Sequence, residues 1–278
     1  MPTLTVYRHG LTAGVPPSTV NHKPALRGDV SGWSADAARR NVRFLYSVTE
    51  TALTGQGFAF TLTLRECPAT PDEWHRLRRA WIKRMERMGM TRMHWVTEWQ
   101  RRGVPHLHGV AYFPHDKAIT AWLRLVPAWL EAGAFDLGAK PQAQHQAPIH
   151  DAVGWLQYLA KHAARGVRHY QRCPENIPPA WAGKTGRVWG HVGDWPREDG
   201  DRLSLDGPAF YAFRRLVRSW RVADARASGD RRRILSARRM LACRNRVVSE
   251  LRGVSEWIPQ TIGLSMVAIA AQRGRVES

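Results

Sequence analysis

Two alternating runs, residues 93–100 and 104–113, flank Arg101-Arg102-Gly103 and constrain this chain more than any other feature. Alternation at period two commits both runs to strands, and the glycine between them commits the strands to a hairpin. A three-residue loop with Gly103 in the left-handed conformation pairs Gln100 with Val104 and therefore Glu98 with His106, leaving His108 as a diagonal neighbour of Glu98. His94, Val96, Glu98 and Gln100 then share a face with His106, His108, Val110 and Tyr112. Met93, Trp95, Thr97, Trp99, Leu107, Ala111 and Phe113 make the opposite, more apolar face. One face builds a core; the other brings a carboxylate and two imidazoles together. A slip of one residue at Gly103 would turn Glu98 away. A bare His-x-His pair is common in a chain with 12 histidines, so the carboxylate decides the reading: it completes a three-ligand site with open positions. Two His and a carboxylate also suit zinc or non-haem iron, so ligand type alone does not fix the metal. Phosphate chemistry favours Mg²⁺ or Mn²⁺.

A second constellation lies on the helix expected over Asp151–Arg165. Its apolar stripe is Val153, Leu156, Leu159, Ala160 and Ala163, complete without Tyr158, which shares a side with Trp155 and Lys161. Lysine is scarce, six in 278 residues, so Lys161 three positions after this tyrosine is an informative coincidence. A phenol titrates near 10 and is a poor nucleophile unaided; a neighbouring ammonium and a cation on the phosphate would make attack feasible. Tyrosine, lysine and a cation are what phosphodiester transesterification requires.

The rest of the chain frames these sites. The stretch to about Gly32 is rich in Pro, Gly and polar residues and reads as a loop or arm. Ser34 can cap a helix reaching to about Leu53, ended by Gly55-Gln56-Gly57. Phe60–Arg65 alternates as a strand. Thr70-Pro71-Asp72-Glu73 is a capping box opening a helix that stops at Gly89. Lys117–Ala132 reads as a helix broken at Pro127, and a further strand is expected around Val188. Ala182-Gly183-Lys184-Thr185 has the end of a phosphate-binding loop, but Pro178 stands where its first glycine would be. Lys184 stays a candidate phosphate contact, as does Arg65.

A net charge of +19 favours polyanions, and nucleic acid above all. From Asp201 onward sixteen Arg, no Lys and seven acidic residues leave +9 in what reads as two or three helices, with Arg231, Arg232 and Arg233 the densest run. Such runs are often only solvated faces; here they are candidate phosphate contacts, salt-sensitive if so. Trp155 and Trp99 are candidates for stacking unpaired bases. The longest apolar run, Ile262–Ala271, is too short to cross a membrane, and Met1–Gly10 does not read as a secretory signal, so a cytoplasmic protein is expected. Cys67, Cys173 and Cys243 are far apart and read as bystanders.

Three ordered motifs over Phe60–Arg165 resemble the rolling-circle replication initiators of the HUH endonuclease superfamily, found in single-stranded DNA viruses, filamentous phages and plasmids. Phe60-Thr61-Leu62-Thr63-Leu64 resembles the first, a strand motif of low specificity. The Gly-x-Pro-His-x-His core at Gly103–His108, with Glu98 eight residues before His106, resembles the metal motif. Tyr158-Leu159-Ala160-Lys161 resembles the Tyr-x-x-Lys nucleophile motif. The resemblance implies an α+β fold, a ferredoxin-like or RRM-like antiparallel sheet with helices on one face, plus a helical basic C-terminal extension. The element order and the change of composition beyond Arg197 divide the chain into an N-terminal arm and helix over 1–54, a catalytic domain over 55–200 and an Arg-rich helical region over 201–278. Glu98, His106 and His108 would hold the metal, and Tyr158, aided by Lys161, would cleave one strand of origin DNA. A 5′-phosphotyrosine and a free 3′-OH would result, with a separate host helicase and polymerase as partners. Positions 154 and 162 are Gly and His, so the chain matches the single-tyrosine type, and Tyr170 lies too far along to share the helix face. Two other readings share features with this one. A transposase or relaxase uses the same chemistry, although relaxases carry three His and an N-terminal Tyr. A non-catalytic nucleic-acid-binding domain needs only an RRM-like sheet and a basic surface.

Overall fold

The computed structural model describes residues 2–14, 29–164, 171–242 and 254–276. The chain divides into two compact units, one built from 23–42 and 49–196, the other from 1–22, 43–48 and 197–278.

The larger unit is a five-stranded antiparallel sheet. In chain order its strands are β3 (Gln56–Thr63), β4 (Arg92–Trp99), β5 (Pro105–Phe113), β6 (His145–Ile149) and β7 (Trp189–Gly193), arranged β6-β3-β5-β4-β7. Helices α2 (Pro71–Arg87) and α3 (Ala118–Trp129) pack on the face carrying Phe58, Phe60, Leu62, Met93, Trp95, Leu107, Ala111 and Phe113. Indoles fasten this layer: Trp74, Trp81 and Trp129 are fully buried with rings about 6 Å apart at 80° and 87°. Their N–H groups donate to Thr97 Oγ1, Leu125 O and Thr63 O, so burying these large rings strands none of the three donors. Helix α2 begins as expected: Thr70 Oγ1 accepts from the Glu73 amide at 3.2 Å, and Glu73 reaches back to the Ala69 amide at 2.9 Å. The expected break at Pro127 does not occur. The helix continues to Trp129 and runs into an irregular turn over Leu130–Ala134, where Gly133 has φ 117°. Pro127 falls in the last turn, where it withholds one backbone donor without ending the helix. Strand β3 starts four residues earlier than its alternating pattern, because Gln56 and Gly57 pair with Phe113 and Tyr112 and only Gly55 forms the turn.

The smaller unit corrects the reading of the N-terminus. Thr3–Tyr7 (β1) and Gly10–Gly14 (β2) form a hairpin, not a loop or arm, in a second antiparallel sheet with β8 (Asp201–Ser204) and β9 (Val254–Trp257), ordered β8-β1-β2-β9. Leu4, Val6 and Leu11 are completely buried against Phe213 and Val217 of α5 (Gly207–Ala227) and Ala270 of α7 (Gln260–Val276). His9 at the hairpin turn stacks on Trp257 at 4.9 Å. Between α5 and α7, helix α6 (Arg231–Ala242) carries the triple arginine. The C-terminal region is therefore helical as expected but also contributes two strands. Helix α1 (Ala35–Ser47) runs from the first unit into the second, and a 3-10 turn over Glu50–Ala52 follows it. Among the described residues no helix is long and apolar enough to cross a membrane. Cys67 and Cys173 form no disulfide, burial pushes the Cys67 thiol up to about 11, and Cys243 lies outside the described residues.

Candidate metal centre and nucleophile helix

The hairpin has the register its turn chemistry demands. The Gly103 amide donates to Gln100 O at 2.8 Å, the Gln100 amide donates to Val104 O at 3.0 Å, and Gly103 has φ +78°. Glu98 stands opposite His106 and Val96 opposite His108. Gly109 lets the strands approach this closely, since a Cβ there would lie 2.2 Å from His94 O and 2.5 Å from Phe60 Cζ. Every residue of β4 is buried, and every residue of β5 except His108, so the middle of the sheet opens to solvent at one imidazole.

Around that opening, ligating atoms of Glu98, His106 and His108 lie within 4.8 Å of one another. The two imidazole rings are 4.4 Å apart and nearly perpendicular at 83°. Thr61, opposite His108 on β3, places Oγ1 2.7 Å from His108 Nδ1, which directs Nε2 toward Glu98 Oε2 at 3.8 Å. Burial holds the His108 imidazole below its ordinary range; Glu98 opposes that shift and Arg172 adds to it. A neutral imidazole whose Nδ1 is engaged is the form that ligates through Nε2. Glu98 is buried, its Oε1 accepts from Arg172 Nε at 2.7 Å, and its Oε2 accepts no hydrogen bond among the described residues. A buried carboxylate oxygen left over beside two imidazoles fits a divalent cation, because an uncompensated buried acceptor is costly.

Helix α4 (Ala152–Ala164) supplies the other half of the site. Asp151 Oδ1 accepts from the Gly154 amide at 3.0 Å and starts it. Leu156, Leu159 and Ala160 are buried as the stripe requires, whereas Val153 is more exposed than expected at 37%. Tyr158 is 48% exposed and its ring stacks on Trp155 at 5.2 Å. A cavity of about 110 Å³ is lined by Tyr158, Trp155 and Leu159 from the helix, by Glu98, His108 and Thr61 from the sheet, and by His145 from β6. The tyrosine and two candidate ligands thus share one cavity. Lys161 continues α4 three residues on, but its side chain lies outside the described residues, as does Tyr170.

The other candidates are elsewhere. Arg65 is exposed beyond the end of β3, where its side chain lies against Gly138, and does not line the cavity. Lys184 is exposed and 3.9 Å from Asp29. Thr185 beside it is buried, accepting from the Gly32 amide at 2.6 Å and donating to Val30 O at 2.9 Å, which makes the Gly-Lys-Thr sequence a structural tie. Arg231 and Arg232 are exposed in the smaller unit, and Arg233 is ion-paired with Asp224. Trp99 is 1% exposed, part of the core, and cannot stack a base. Sequence reasoning missed Arg172, Gln171, Thr61 and His145 as site residues. Gln171 and Arg172 follow a stretch without periodicity and reach the site from more than 60 positions away. Only Thr61, inside a recognised motif, carried a signal.

Residues 57–166 match the family described as Replication-associated protein ORF2/G2P. A protein of Xylella fastidiosa strain 9a5c named "Putative replication protein" is 54% identical over 99% of this chain and 98% of its own length. A second of that name, from strain Temecula1, is 56% identical over 92% of this chain and 99% of its own. The Replication-associated protein G2P of Pseudomonas phage Pf3 is 46% identical over 99% of both chains. No solved structure matches.

Proposed function

Because the chain belongs to the replication-associated protein ORF2/G2P family, we propose that it starts rolling-circle replication as a single-tyrosine HUH endonuclease, nicking one strand of origin DNA. The observation that carries this reading is the single cavity lined by Tyr158, Glu98 and His108. Tyr158 is the nucleophile: its phenolic oxygen bonds to phosphorus, the P–O3′ bond breaks, the phenol gives up its proton and the departing 3′ oxygen takes one up. The products are a 5′-phosphotyrosine and a free 3′-OH, and the phosphotyrosine conserves the bond energy for rejoining. Glu98, His106 and His108 would hold Mg²⁺ or Mn²⁺, which supplies Lewis-acid stabilisation of charge on the phosphate. Trp155 holds the Tyr158 ring by stacking, and half-exposure leaves the phenol reachable by a single strand. Lys161, one turn on, is assigned to ease loss of the phenolic proton. Exposed basic residues, Arg65, Lys184, Arg231 and Arg232 among them, contact phosphates, and unwinding and synthesis fall to a host helicase and polymerase in the cytoplasm.

The test is a labelled single-stranded oligonucleotide carrying the replicon's origin, incubated with the protein and Mn²⁺ and run on a denaturing gel. A covalent protein–DNA band is expected from wild type and none from Tyr158→Phe or in the presence of chelator. A band that persists in Tyr158→Phe overturns the nucleophile assignment. No cleavage by wild type leaves a nucleic-acid binder.

A further inference from the structure

The wall of this cavity already contains one cation. Arg172 is 1% exposed, donates from Nε to Glu98 Oε1 at 2.7 Å, and lies with its guanidinium carbon 4.1 Å from the centre of the Trp33 ring. Trp33 is itself anchored, its indole N–H donating to Thr97 O at 2.8 Å. The segment is tied to the edge of β4, where the Trp99 amide donates to Gln171 O at 2.9 Å. The two oxygens of Glu98 are consequently unequal. Oε1 is held in a charge-assisted hydrogen bond, and Oε2 faces His108.

We propose that Arg172 is a positioning residue that restricts Glu98 to one ligating oxygen and so makes the site select a small octahedral cation over calcium. The inference rests on the metal-centre reading above. Calcium takes six to eight oxygens and readily uses both oxygens of a carboxylate, whereas Mg²⁺ and Mn²⁺ take an octahedron and accept a single carboxylate oxygen. For Glu98 to offer both oxygens it must leave Arg172, stranding a buried guanidinium without its carboxylate. A rigid Glu98 therefore disfavours the ion that wants two oxygens. If Arg172 were only a core ion pair, its loss would lower stability and leave the preference between cations unchanged.

Isothermal titration of the full chain with Mn²⁺ and with Ca²⁺ separates these cases. Removing the charge of Arg172 acts alike on two divalent ions, so the ratio of dissociation constants isolates the geometry. Wild type is expected to prefer Mn²⁺ by tenfold or more, and Arg172→Met to narrow that preference by about tenfold, the lower end for a residue that orients a metal ligand. Arg172→Lys, which keeps a charged donor, is expected to retain most of it. An unchanged ratio in folded Arg172→Met overturns the proposal. If that variant does not fold, Arg172→Gln takes its place, and wild type binding Ca²⁺ as tightly as Mn²⁺ overturns the proposal with no variant at all. Wild type binding neither ion sinks the metal-centre reading itself, a result distinct from binding without selectivity.

Discussion

Replacing Glu98 with alanine is expected to destabilise the protein even when no metal is present. In an ordinary cluster of carboxylates, removing one ligand relieves repulsion and the metal-free protein gains stability. Here the carboxylate is partnered. Glu98 and Arg172 are each 1% exposed at the side chain and 2.7 Å apart, so Glu98→Ala leaves a guanidinium buried without its counter-charge. Breaking a buried pair from one side costs about 3–5 kcal/mol. At roughly 2–4 °C per kcal/mol for a domain of this size, the melting temperature should fall by about 6–20 °C. Glu98→Gln keeps an acceptor of the same shape and should lose less. The measurement is circular dichroism melting in EDTA, with Mn²⁺ added in a second series. Mn²⁺ should raise the melting temperature of wild type and leave Glu98→Ala unmoved, since only a state that binds the ion is stabilised by it. An unchanged or higher melting temperature for Glu98→Ala in EDTA would refute the reasoning, because the pair would then contribute nothing to the fold.

Acid should weaken the fold through two histidines, His94 fully buried and His75 half-buried. Burial drives the His94 imidazole down to about 3, and burial with Arg78 drives His75 to about 4. Their folded-state values lie below the unfolded value near 6.5, so the stability they allow is full above that pH and declines below it until the folded-state values are reached, by about 1.4 kcal/mol per unit for His94 and by less for His75, whose charge water partly screens. Urea midpoints that stay flat from pH 7 to pH 4.5 would contradict this. Gly109→Val should displace β5 from β4, with a cost of at least about 1–3 kcal/mol and loss of Mn²⁺ binding; a variant that melts and binds like wild type would mean the close approach of the strands is dispensable. Affinity for single-stranded DNA should fall steeply with salt, and Arg231→Ala with Arg232→Ala should shallow the log–log slope by about 0.7 for each phosphate that is no longer neutralised. A slope identical to wild type would remove both arginines from the DNA surface.

The centre of the candidate site was readable because its information is local. Glu98, His106 and His108 lie within eleven residues, Gly103 sets the turn, and a period of two then decides which side chains share a face. Tyr158 was readable for the same reason, since it stands off a helical stripe only thirteen residues long. Tertiary structure alone decided three things. It carried Arg172 across 74 positions to Glu98, and it brought His145 to the cavity by pairing β6 with β3. It also turned the first residues of the chain into strands. Thr3–Tyr7 and Gly10–Gly14 do alternate, burying Leu4, Val6 and Leu11, but five residues beside Gly and Pro are too weak a pattern to outweigh their neighbours. The hairpin is secured by β8 and β9, some 200 and 240 positions away. Periodicity reports which face a residue occupies; it does not report what is brought to that face, because a contact between distant segments leaves no spacing in the chain.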